Sequence, residues 1–305
     1  MNKFVIYTVM TGGYESIIQP EVINENFDYI LFSNDFDEDH IGVWQIRKIE
    51  CEISTDNKRL SRYPKSHPES LLAEYEASLY IDANLSIGVS YIYNRFLELY
   101  NKGIVYSGIK LIESGRDCIY DHAFDMSIAG VVHDYDAIVQ CHELYKRGFP
   151  RHFGLNENNV IYRRHTKQME EADKEWWWWI TNFTFRDQFS YMFCLWKHNI
   201  PINNYFLPEG EDTHSGNYFR FTSHNKTSEV KSRKWVKRSL IEKLRNQSWN
   251  YNRKKYVEQW YKVSTFTHAR QVLIIWGIST IFFNLHKFLN TLLTRKHSVI
   301  EALKS

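Results

Sequence analysis

The first two thirds of the chain alternate short apolar runs with loops rich in Gly, Ser, Asn and Asp. The first two runs, residues 3–10 and 29–32, end at Thr11-Gly12-Gly13 and at Ser33-Asn34-Asp35. Apolar runs of about four to eight residues that end in turn residues are typical of buried strands. Strands of this kind alternating with helices predict an α/β fold, in which ligands bind at the carboxyl ends of the strands.

The same alternation continues along the chain. Residues 56–72 are basic and polar, and we expect partial helix there, broken at Pro64 and Pro68. We predict further strands at residues 44–49, 80–81, 103–108, 159–163 and 202–207, and helices at residues 90–100, 134–147, 170–179 and 185–198.

The composition changes near residue 226. Residues 226–262 hold twelve Lys and Arg against three Glu, with Trp and Tyr interleaved, and residues 272–293 repeat apolar side chains on one helical face. A basic, aromatic-rich segment before an amphipathic helix is typical of a membrane-surface anchor. The alternative is a solvated helix followed by one that covers the core or a dimer partner. We predict one domain of residues 1–225 and a helical, basic and amphipathic C-terminal region of residues 226–305 that binds an anionic membrane surface.

The bulk composition excludes several classes of protein. The net charge of +2 is too small to indicate a partner, and the basic run lacks a nucleic-acid recognition motif, so we expect no nucleic acid. The 4 Cys are scattered without metal-site spacing, which suits a reducing compartment. Because the chain shows no signal peptide and no apolar run long enough to span a membrane, we expect a cytoplasmic protein, peripheral at the inner face of the cell membrane.

Asp82 and Asn84 directly follow the apolar run of residues 79–81. If the strand continued, the two side chains would point to the same side. A carboxylate and an amide oxygen can hold a hard divalent cation such as Mn²⁺ or Mg²⁺. This interpretation predicts an Asp-x-Asn variant of the Asp-x-Asp site of nucleotide-sugar transferases, whereas the alternative is a simple turn after a strand, where Asp and Asn are both favoured.

Several stretches, taken in order, resemble one family. They are Tyr7-Thr8 through Gly13-Tyr14, Asn57-Lys58-Arg59 with Pro64-Lys65 and His67-Pro68, Ser78 through Asn84, Arg116-Asp117-Cys118-Ile119-Tyr120-Asp121, and Arg186-Asp187-Gln188-Phe189-Ser190 with Leu195-Trp196-Lys197. Over roughly residues 3–225 the chain resembles the DUF616 glycosyltransferases, also described as the TOD1/MUCI70-like glycosyltransferase domain. The resemblance implies a GT-A-like fold, a nucleotide-binding α/β sandwich with a mixed central sheet that uses a sugar nucleotide. Asn84 departs from the better-known enzymes, which carry a second acid there.

The resemblance also suggests which residues hold the donor. Asp82 and Asn84 would bind Mn²⁺ or Mg²⁺, with His224 as a third ligand and His214 as its alternative. Donor-binding candidates lie near the ends of the first two strands and in the basic segment: Thr8, Thr11, Tyr14, Asp35, Lys58 and Arg59. Asp35 is equally well explained as a helix N-cap, and the two cations as surface charges.

Asp187 and Gln188 are the catalytic candidates. If the enzyme inverts the anomeric centre, Asp187 would be the general base; if it retains, Asp187 and Gln188 would position the sugar. A helix cap is the alternative role for Asp187, and Glu157 and Asp121 are further candidate bases. Among the four consecutive indoles of residues 176–179, at least one would line an acceptor groove while the others pack in the core.

The predicted function is transfer of a hexose from a UDP-sugar to a polysaccharide or lipid-linked glycan in surface-polysaccharide biosynthesis, such as that of capsule or O-antigen. Two other functions fit the same residues: a nucleotidyl or phosphoryl transferase with the same acid–metal site, and a non-catalytic glycan-binding protein. The sequence has no Gly-x-x-x-x-Gly-Lys-Ser/Thr loop, which argues against an ordinary P-loop enzyme.

Overall fold

A computed structural model describes residues 2–13, 16–51, 56–111, 117–128, 131–222, 253–262 and 270–279, with residues 281, 282 and 285. The chain divides into two compact units. The first comprises Met1–Ile119 with Phe149–Thr227, and the second Tyr120–Gly148 with Ser228–Ser305. Residues 120–148, which the sequence analysis included in the first domain, therefore group with the C-terminal residues.

The first unit is built on a mixed sheet. Its strands are β1 (Phe4–Met10), β2 (Phe27–Ser33), β3 (His40–Ile41), β4 (Trp44–Arg47), β5 (Ala77–Ile81), β7 (Tyr106–Lys110) and β8 (Asn156–Arg164), and a separate pair is formed by β6 (Leu85–Ile87) and β9 (Phe219–Phe221). The seven-stranded order is β3-β4-β2-β1-β5-β8-β7. Strands β4, β2, β1 and β5 run parallel, whereas β3 and β8 are antiparallel to their neighbours. The predicted α/β class with a mixed central sheet is confirmed.

The strand order creates a switch point between β1 and β5. From β1 the chain moves outward to β2 and β4, and then returns to place β5 on the other side of β1. Tyr7 of β1 pairs with Tyr80 of β5, while Thr8 pairs with Leu31 of β2. In open α/β sheets, ligands bind outside the carboxyl ends of the strands at such a switch point. Here those ends are the loop after Met10 and the turn after Ile81.

Helices cover both faces of the sheet. Consecutive side chains of β8 point to opposite faces, and each contacts a different helix. The helices of the first unit are α1 (Asn57–Leu60), α2 (Pro68–Leu71), α3 (Tyr91–Asn101), α6 (Lys167–Asn182) and α7 (Tyr191–Lys197), with 3-10 turns at Pro64–Ser66 and Asp187–Phe189. Tyr162 packs its ring edge-on against Phe96 of α3 at 5.0 Å. The next residue, Arg163, points to the other face and pairs with Asp173 of α6.

Helix α3 shows why these segments fold as they do. It buries Ile92, Phe96 and Leu99, which recur at intervals of four and three residues and therefore lie on one helical face. Helix α6 is capped at its N-terminus by Thr166, whose hydroxyl accepts a hydrogen bond from the Met169 amide at 3.2 Å. The prolines at residues 64 and 68 begin helical turns because Pro at the first helical position leaves no hydrogen bond unmade.

Two predicted elements differ from the structure. Residues 185–198 form a 3-10 turn and α7 instead of one helix, because Ser190 separates them with a φ of −134°. The strand predicted at residues 202–207 is wrong: in that segment only Tyr205 bridges to Gly108 of β7. Asn203 and Asn204 lie inside the segment, and Asn is disfavoured in strands.

The second unit contains α4 (Ile119–Ile128), α5 (Asp134–Lys146), α8 (Arg253–Trp260) and a helix at residues 270–279. Trp260 is fully buried, with its ring 5.4 Å from that of Phe124, and Tyr261 stacks on Tyr120 at 4.3 Å. None of the helices in the described ranges is long and apolar enough to cross a membrane.

Candidate functional site

Asp82 lies in a tight turn at the carboxyl end of β5. The Asp82 carbonyl accepts the Leu85 amide at 2.9 Å, and the Asp82 amide donates to the Asn159 carbonyl of β8 at 2.8 Å. Because the strand ends at Ile81, strand alternation does not set the directions of Asp82 and Asn84. The turn expected as the alternative is therefore the observed conformation, and it places the Asp82 carboxylate at the switch point.

A buried lysine links Asp82 to Asp187. The Lys65 ammonium is 2.7 Å from Asp187 Oδ2 and 3.6 Å from Asp82 Oδ1, and only 4% of the Lys65 side chain is exposed. The Tyr80 hydroxyl donates to Asp82 Oδ1 at 2.6 Å, and the Lys65 ammonium lies 4.6 Å from the centre of the Tyr80 ring. Two acids separated by more than a hundred positions in the sequence thus share one cation.

The electrostatics of this cluster keep Asp187 ionised. Burial alone would raise the Asp187 pKa, but the charges of Lys65 and Arg62, the Lys65 hydrogen bond and the charge of Arg186 together lower it to about 2. Burial and the neighbouring Asp82 carboxylate raise the Tyr80 pKa well above its ordinary value, so Tyr80 remains a hydrogen-bond donor. The site therefore presents fixed negative charge that is compensated by buried cations.

Side chains of helix α6 and strand β8 support the cluster through hydrogen bonds. The Arg163 guanidinium, fully buried, donates to the Lys65 carbonyl at 2.7 Å and to Asp173 Oδ2 at 2.8 Å. The Trp176 indole donates to the Asp187 carbonyl at 2.9 Å and stacks on Tyr191 at 3.9 Å. Both the lysine and the acid are thus fixed through their backbones as well as their side chains.

The second catalytic candidate, Gln188, lies beside this cluster. The Arg186 guanidinium donates to Gln188 Oε1 at 2.9 Å, and burial lowers the pKa of Arg186 despite the opposing charge of Asp187. Asp187 begins a 3-10 turn, but its carboxylate binds Lys65 of another segment. The structure therefore brings Asp82 and Asp187 together, whereas Gln188 is next to Asp187 in the chain and its side chain contacts Arg186.

Asp35 holds the loop after β1. Its two carboxylate oxygens accept the Gly12 and Gly13 amides at 3.0 and 2.9 Å. Both glycines have positive φ, at 69° and 61°, which lets consecutive amides turn toward one acceptor. The Thr11 hydroxyl donates to the Asn57 carbonyl at 2.8 Å. This loop lies at the switch point, with Asp35 and Thr11 fixing its shape.

The remaining donor-binding candidates differ in accessibility. Thr8 is buried among apolar side chains that include Met10, Leu31 and Ala83. Lys58 is exposed, with its ammonium 4.8 Å from the centre of the Phe185 ring.

The Arg59 guanidinium binds backbone carbonyls and an acid within the protein. It donates to the Ile180 and Phe183 carbonyls at the end of α6, at 3.0 and 3.1 Å, and pairs with Asp56 at 3.1 Å. We therefore leave Arg59 out of the proposed donor site. The Tyr14 candidate lies outside the described residues.

Asp82 offers one carboxylate oxygen that can bind a divalent cation. Asp82 Oδ1 is occupied by Tyr80 and Lys65, whereas Oδ2 makes no hydrogen bond to any residue that the structure describes, and the side chain is 39% exposed. A carboxylate oxygen of this kind suits a hard divalent cation. Asn84, two residues further along the turn, has a buried side chain that is 7% exposed. No group of three or more His, Cys, Asp or Glu able to hold a metal occurs within the described ranges.

His224 and His214 are the two histidines predicted as a third metal ligand. His224 lies outside the described residues. Thr222, the last described residue before it, donates its amide to the Asn84 carbonyl at 2.9 Å. His214 is exposed, and its ring packs against Phe221 at 4.8 Å.

Sequence reasoning missed the cations and the supporting residues: Arg62, Lys65, Tyr80, Arg163, Asp173 and Trp176. Lys65 had one signal, because Pro64-Lys65 belongs to the stretches that resemble the family. Three of the four indoles are buried as expected for core residues, and Trp178 is 43% exposed. Arg163 is completely buried and supports Lys65 through its backbone carbonyl.

Comparison with solved structures finds similar chains, and WbbM is among them. The described structure is similar to that of WbbM, a bifunctional glycosyltransferase in its apo form, with a TM-score of 0.40 and 12% sequence identity. The alignment covers 68% of this chain and 39% of the WbbM chain, so this chain spans less than half of that protein. No protein-family model and no curated protein matches the sequence.

Proposed function

We propose that this protein is a glycosyltransferase with a GT-A-like fold that moves a hexose from a UDP-sugar to a polysaccharide or lipid-linked glycan. The observation that carries the proposal is the cluster of Asp82, Lys65 and Asp187 at the switch point of the mixed sheet. Ligands of open α/β sheets bind at this position, and the Asp82 carboxylate there would hold a cation that neutralises a departing diphosphate.

The roles follow from exposure and charge. Asp82 Oδ2, which has no hydrogen bond among the described residues, would hold Mn²⁺ or Mg²⁺ together with Asn84. When bound, the cation would neutralise charge that develops on the leaving group. Asp187, held ionised by Lys65, uses Oδ2 for that ion pair and leaves Oδ1 to accept a hydrogen bond from a sugar hydroxyl. Gln188 would assist in positioning the sugar.

The loop after β1 supports the nucleotide. Gly12 and Gly13, held by Asp35, follow the carboxyl end of β1 at the switch point, and Lys58 follows Asn57, whose carbonyl binds Thr11. Glycines in such a loop let a ligand approach the backbone closely. We place the uridine and ribose there.

We also propose that the C-terminal region holds the enzyme at the inner face of a membrane. The helix at residues 270–279 continues at residues 281, 282 and 285, and its exposed large side chains are Ile274, Ile275, Ile278, Ile281, Phe282 and Leu285. An exposed apolar face of this kind, next to a basic segment, suits insertion into an anionic surface.

Donor binding and turnover test the function directly. We expect a UDP-hexose, in a thermal-shift screen of UDP-, GDP- and CMP-sugars with and without Mn²⁺, to raise the melting temperature more than the other nucleotides do. Asp82→Ala should lose transfer by several orders of magnitude while keeping its fold, because the leaving group loses its main stabilisation. Asp37→Asn, at a fully exposed surface acid, is the control. Near wild-type turnover of Asp82→Ala with saturating Mn²⁺ would falsify the assignment.

A further inference from the structure

A second polar cluster lies beside the Asp82 turn, centred on Glu157 of β8. Glu157 Oε2 accepts hydrogen bonds from Asn159 Nδ2 at 3.0 Å and from the Thr213 hydroxyl at 3.2 Å. Asn159 Nδ2 also donates to Thr213 Oγ1 at 2.6 Å, which closes a triangle. Glu157 Oε1 has no hydrogen-bond partner in the part of the chain that the structure describes. One oxygen of this carboxylate is therefore held, and the other is left available.

The cluster is tied to the proposed donor site through one residue. The Asn159 carbonyl accepts the Asp82 amide at 2.8 Å, while the Asn159 side chain holds Glu157 at 3.0 Å. Thr213 is fully buried, so the orientation of the carboxylate is well constrained. Glu157 is therefore a rigidly held acid, and a single residue, Asn159, links it to the turn that carries Asp82.

Two further observations show that the cluster can receive a ligand. The Asn159 side-chain oxygen is buried beside Glu157 and has no partner among the described residues. Beside Thr213, the His214 ring packs at 4.8 Å against Phe221, which is 45% exposed. Aromatic faces next to carboxylate and amide groups suit a sugar, which offers apolar C–H groups on its faces and hydroxyls at its edge.

The two acids near the switch point have opposite protonation behaviour. Burial raises the Glu157 pKa, helped by the charge of Asp212 and opposed by Asn159, His214 and Thr213. Asp187, in contrast, is held at a pKa of about 2 by Lys65 and Arg62, so it has little affinity for a proton. When their surroundings separate the pKa values of two acids in this way, the two acids take different roles. Here Glu157 suits a proton acceptor, and Asp187 suits a fixed negative charge.

We propose that Glu157 accepts the proton of the acceptor hydroxyl, and that the acceptor sugar lies against Glu157, His214 and Phe221. The inference rests on the glycosyltransferase function proposed above and assigns its acceptor site. The acceptor O–H bond breaks, and its proton passes to Glu157 Oε1. The acceptor oxygen bonds to the anomeric carbon as the bond from that carbon to the diphosphate oxygen breaks, and UDP leaves with both electrons. This direct displacement inverts the anomeric configuration.

The variant Glu157→Gln tests the assignment, because Gln has the same size and can still accept the Asn159 and Thr213 hydrogen bonds. The donor is whichever UDP-hexose the wild-type enzyme consumes, and water and azide ion are the two acceptors. Water must lose a proton to attack, whereas azide carries none. Glu171→Gln, at an exposed acid of α6, is the matched control.

We expect Glu157→Gln to slow UDP release in water by about 10²- to 10⁴-fold, the usual contribution of a general base. Its calorimetric affinity for the UDP-hexose and its rate of glycosyl azide formation should stay within about twofold of wild type, and the rising limb of the pH–rate profile should disappear. The azide product should have the inverted configuration. Glu171→Gln should match wild type throughout.

The other outcomes each overturn a defined claim. Equal slowing with water and azide would make Glu157 a structural residue, and undiminished hydrolysis would remove it from the reaction. A retained anomeric configuration would exclude the direct displacement that the assignment requires. If the wild-type enzyme binds and consumes no UDP-hexose at all, the proposed function fails, and this assignment fails with it.

Discussion

Lys65 shows how a single buried charge organises the site. Its ammonium ion and the Asp187 carboxylate are 4% and 9% exposed, and they lie 2.7 Å apart. A buried ion pair adds little net stability compared with an apolar pair, but removing one partner leaves the other charge buried without compensation. The pair therefore serves mainly to hold Asp187 ionised and in place.

We predict that Lys65→Met destabilises the fold by about 3–5 kcal/mol, the usual cost of leaving a buried charge unpaired. Adding Asp187→Asn should recover a large part of that loss, because the carboxylate charge is then gone, while transfer activity stays lost. Urea denaturation of the two single variants and the double variant measures this coupling. Lys102→Met, at a lysine that is 63% exposed, is the control. Strictly additive losses would mean that the pair is not coupled.

At the residue scale, the sequence predicted the acids of the site better than the cations. Asp82 and Asp187 were identifiable because each follows a local signal: the apolar run before Asp82 and the Arg-Asp-Gln stretch around Asp187. Lys65 and Arg163 were not, because their roles depend on partners distant in the sequence, and nothing local distinguishes a buried cation from a surface one. Arg59 was predicted to bind the donor, but its guanidinium binds two carbonyls at the end of α6, so we do not assign it to the donor site.

At the element scale, predictions held where apolar periodicity was long. Strand β1 and helix α3 match the predicted residues closely, because a buried strand and an amphipathic helix each leave a strong pattern. Strands β3, β6 and β9 were missed because two or three residues are too short to show a period. The pairing of β6 with β9 matters to the site, since it leads the chain past Asn84.

His165, just after β8, gives the fold a measurable pH dependence. Its ring nitrogens lie 2.8 Å from the Tyr75 carbonyl and 2.9 Å from Ser78 Oγ, on the neighbouring strand. Burial, assisted by the charge of Arg163 and opposed by the Tyr75 hydrogen bond, lowers its pKa from 6.5 to about 4. The unfolded chain therefore binds a proton at higher pH than the folded protein does.

We predict that the free energy of unfolding falls by up to about 3 kcal/mol as the pH drops from 6.5 to 4, because the unfolded state takes up the proton first. The contribution is fully present above pH 6.5. Urea denaturation at several pH values should show a shallower slope over that window for His165→Gln than for wild type. His152→Gln, at a histidine that is 52% exposed, should leave the slope unchanged. Parallel pH curves for wild type and His165→Gln would contradict the prediction.

At the scale of the whole molecule, the fold class was predictable, but the spatial proximity of the site residues was not. Alternating elements indicated a mixed α/β domain, yet only the return of β5 to the far side of β1 creates the switch point. Contacts across that point join residues 65, 82 and 187, so the site is a property of topology. The grouping of residues 120–148 with the C-terminal region likewise depends on aromatic contacts such as Phe124 with Trp260.

The second unit leads to the last prediction, that the C-terminal region binds anionic membranes without spanning them. Ile274, Ile278 and Phe282 are 54%, 49% and 65% exposed, and their spacing of four residues puts them on one helical face. Nearby Lys and Arg residues add about 1 kcal/mol each of attraction to an anionic surface, and salt screens this attraction. Apolar insertion and charge thus act together.

We expect the full chain to sediment with vesicles that contain anionic lipid, strongly at low salt and more weakly at high salt, and to remain in solution with neutral vesicles. Replacing both Ile278 and Phe282 by Asp should abolish sedimentation, because charged side chains resist insertion. Ile23→Asp, at an isoleucine of the first unit that is 53% exposed, is the matched control and should bind as wild type does. No binding even at low salt would refute the membrane proposal. If the wild-type chain also formed a dimer that the double variant could not form, the exposed face would instead contact a second copy.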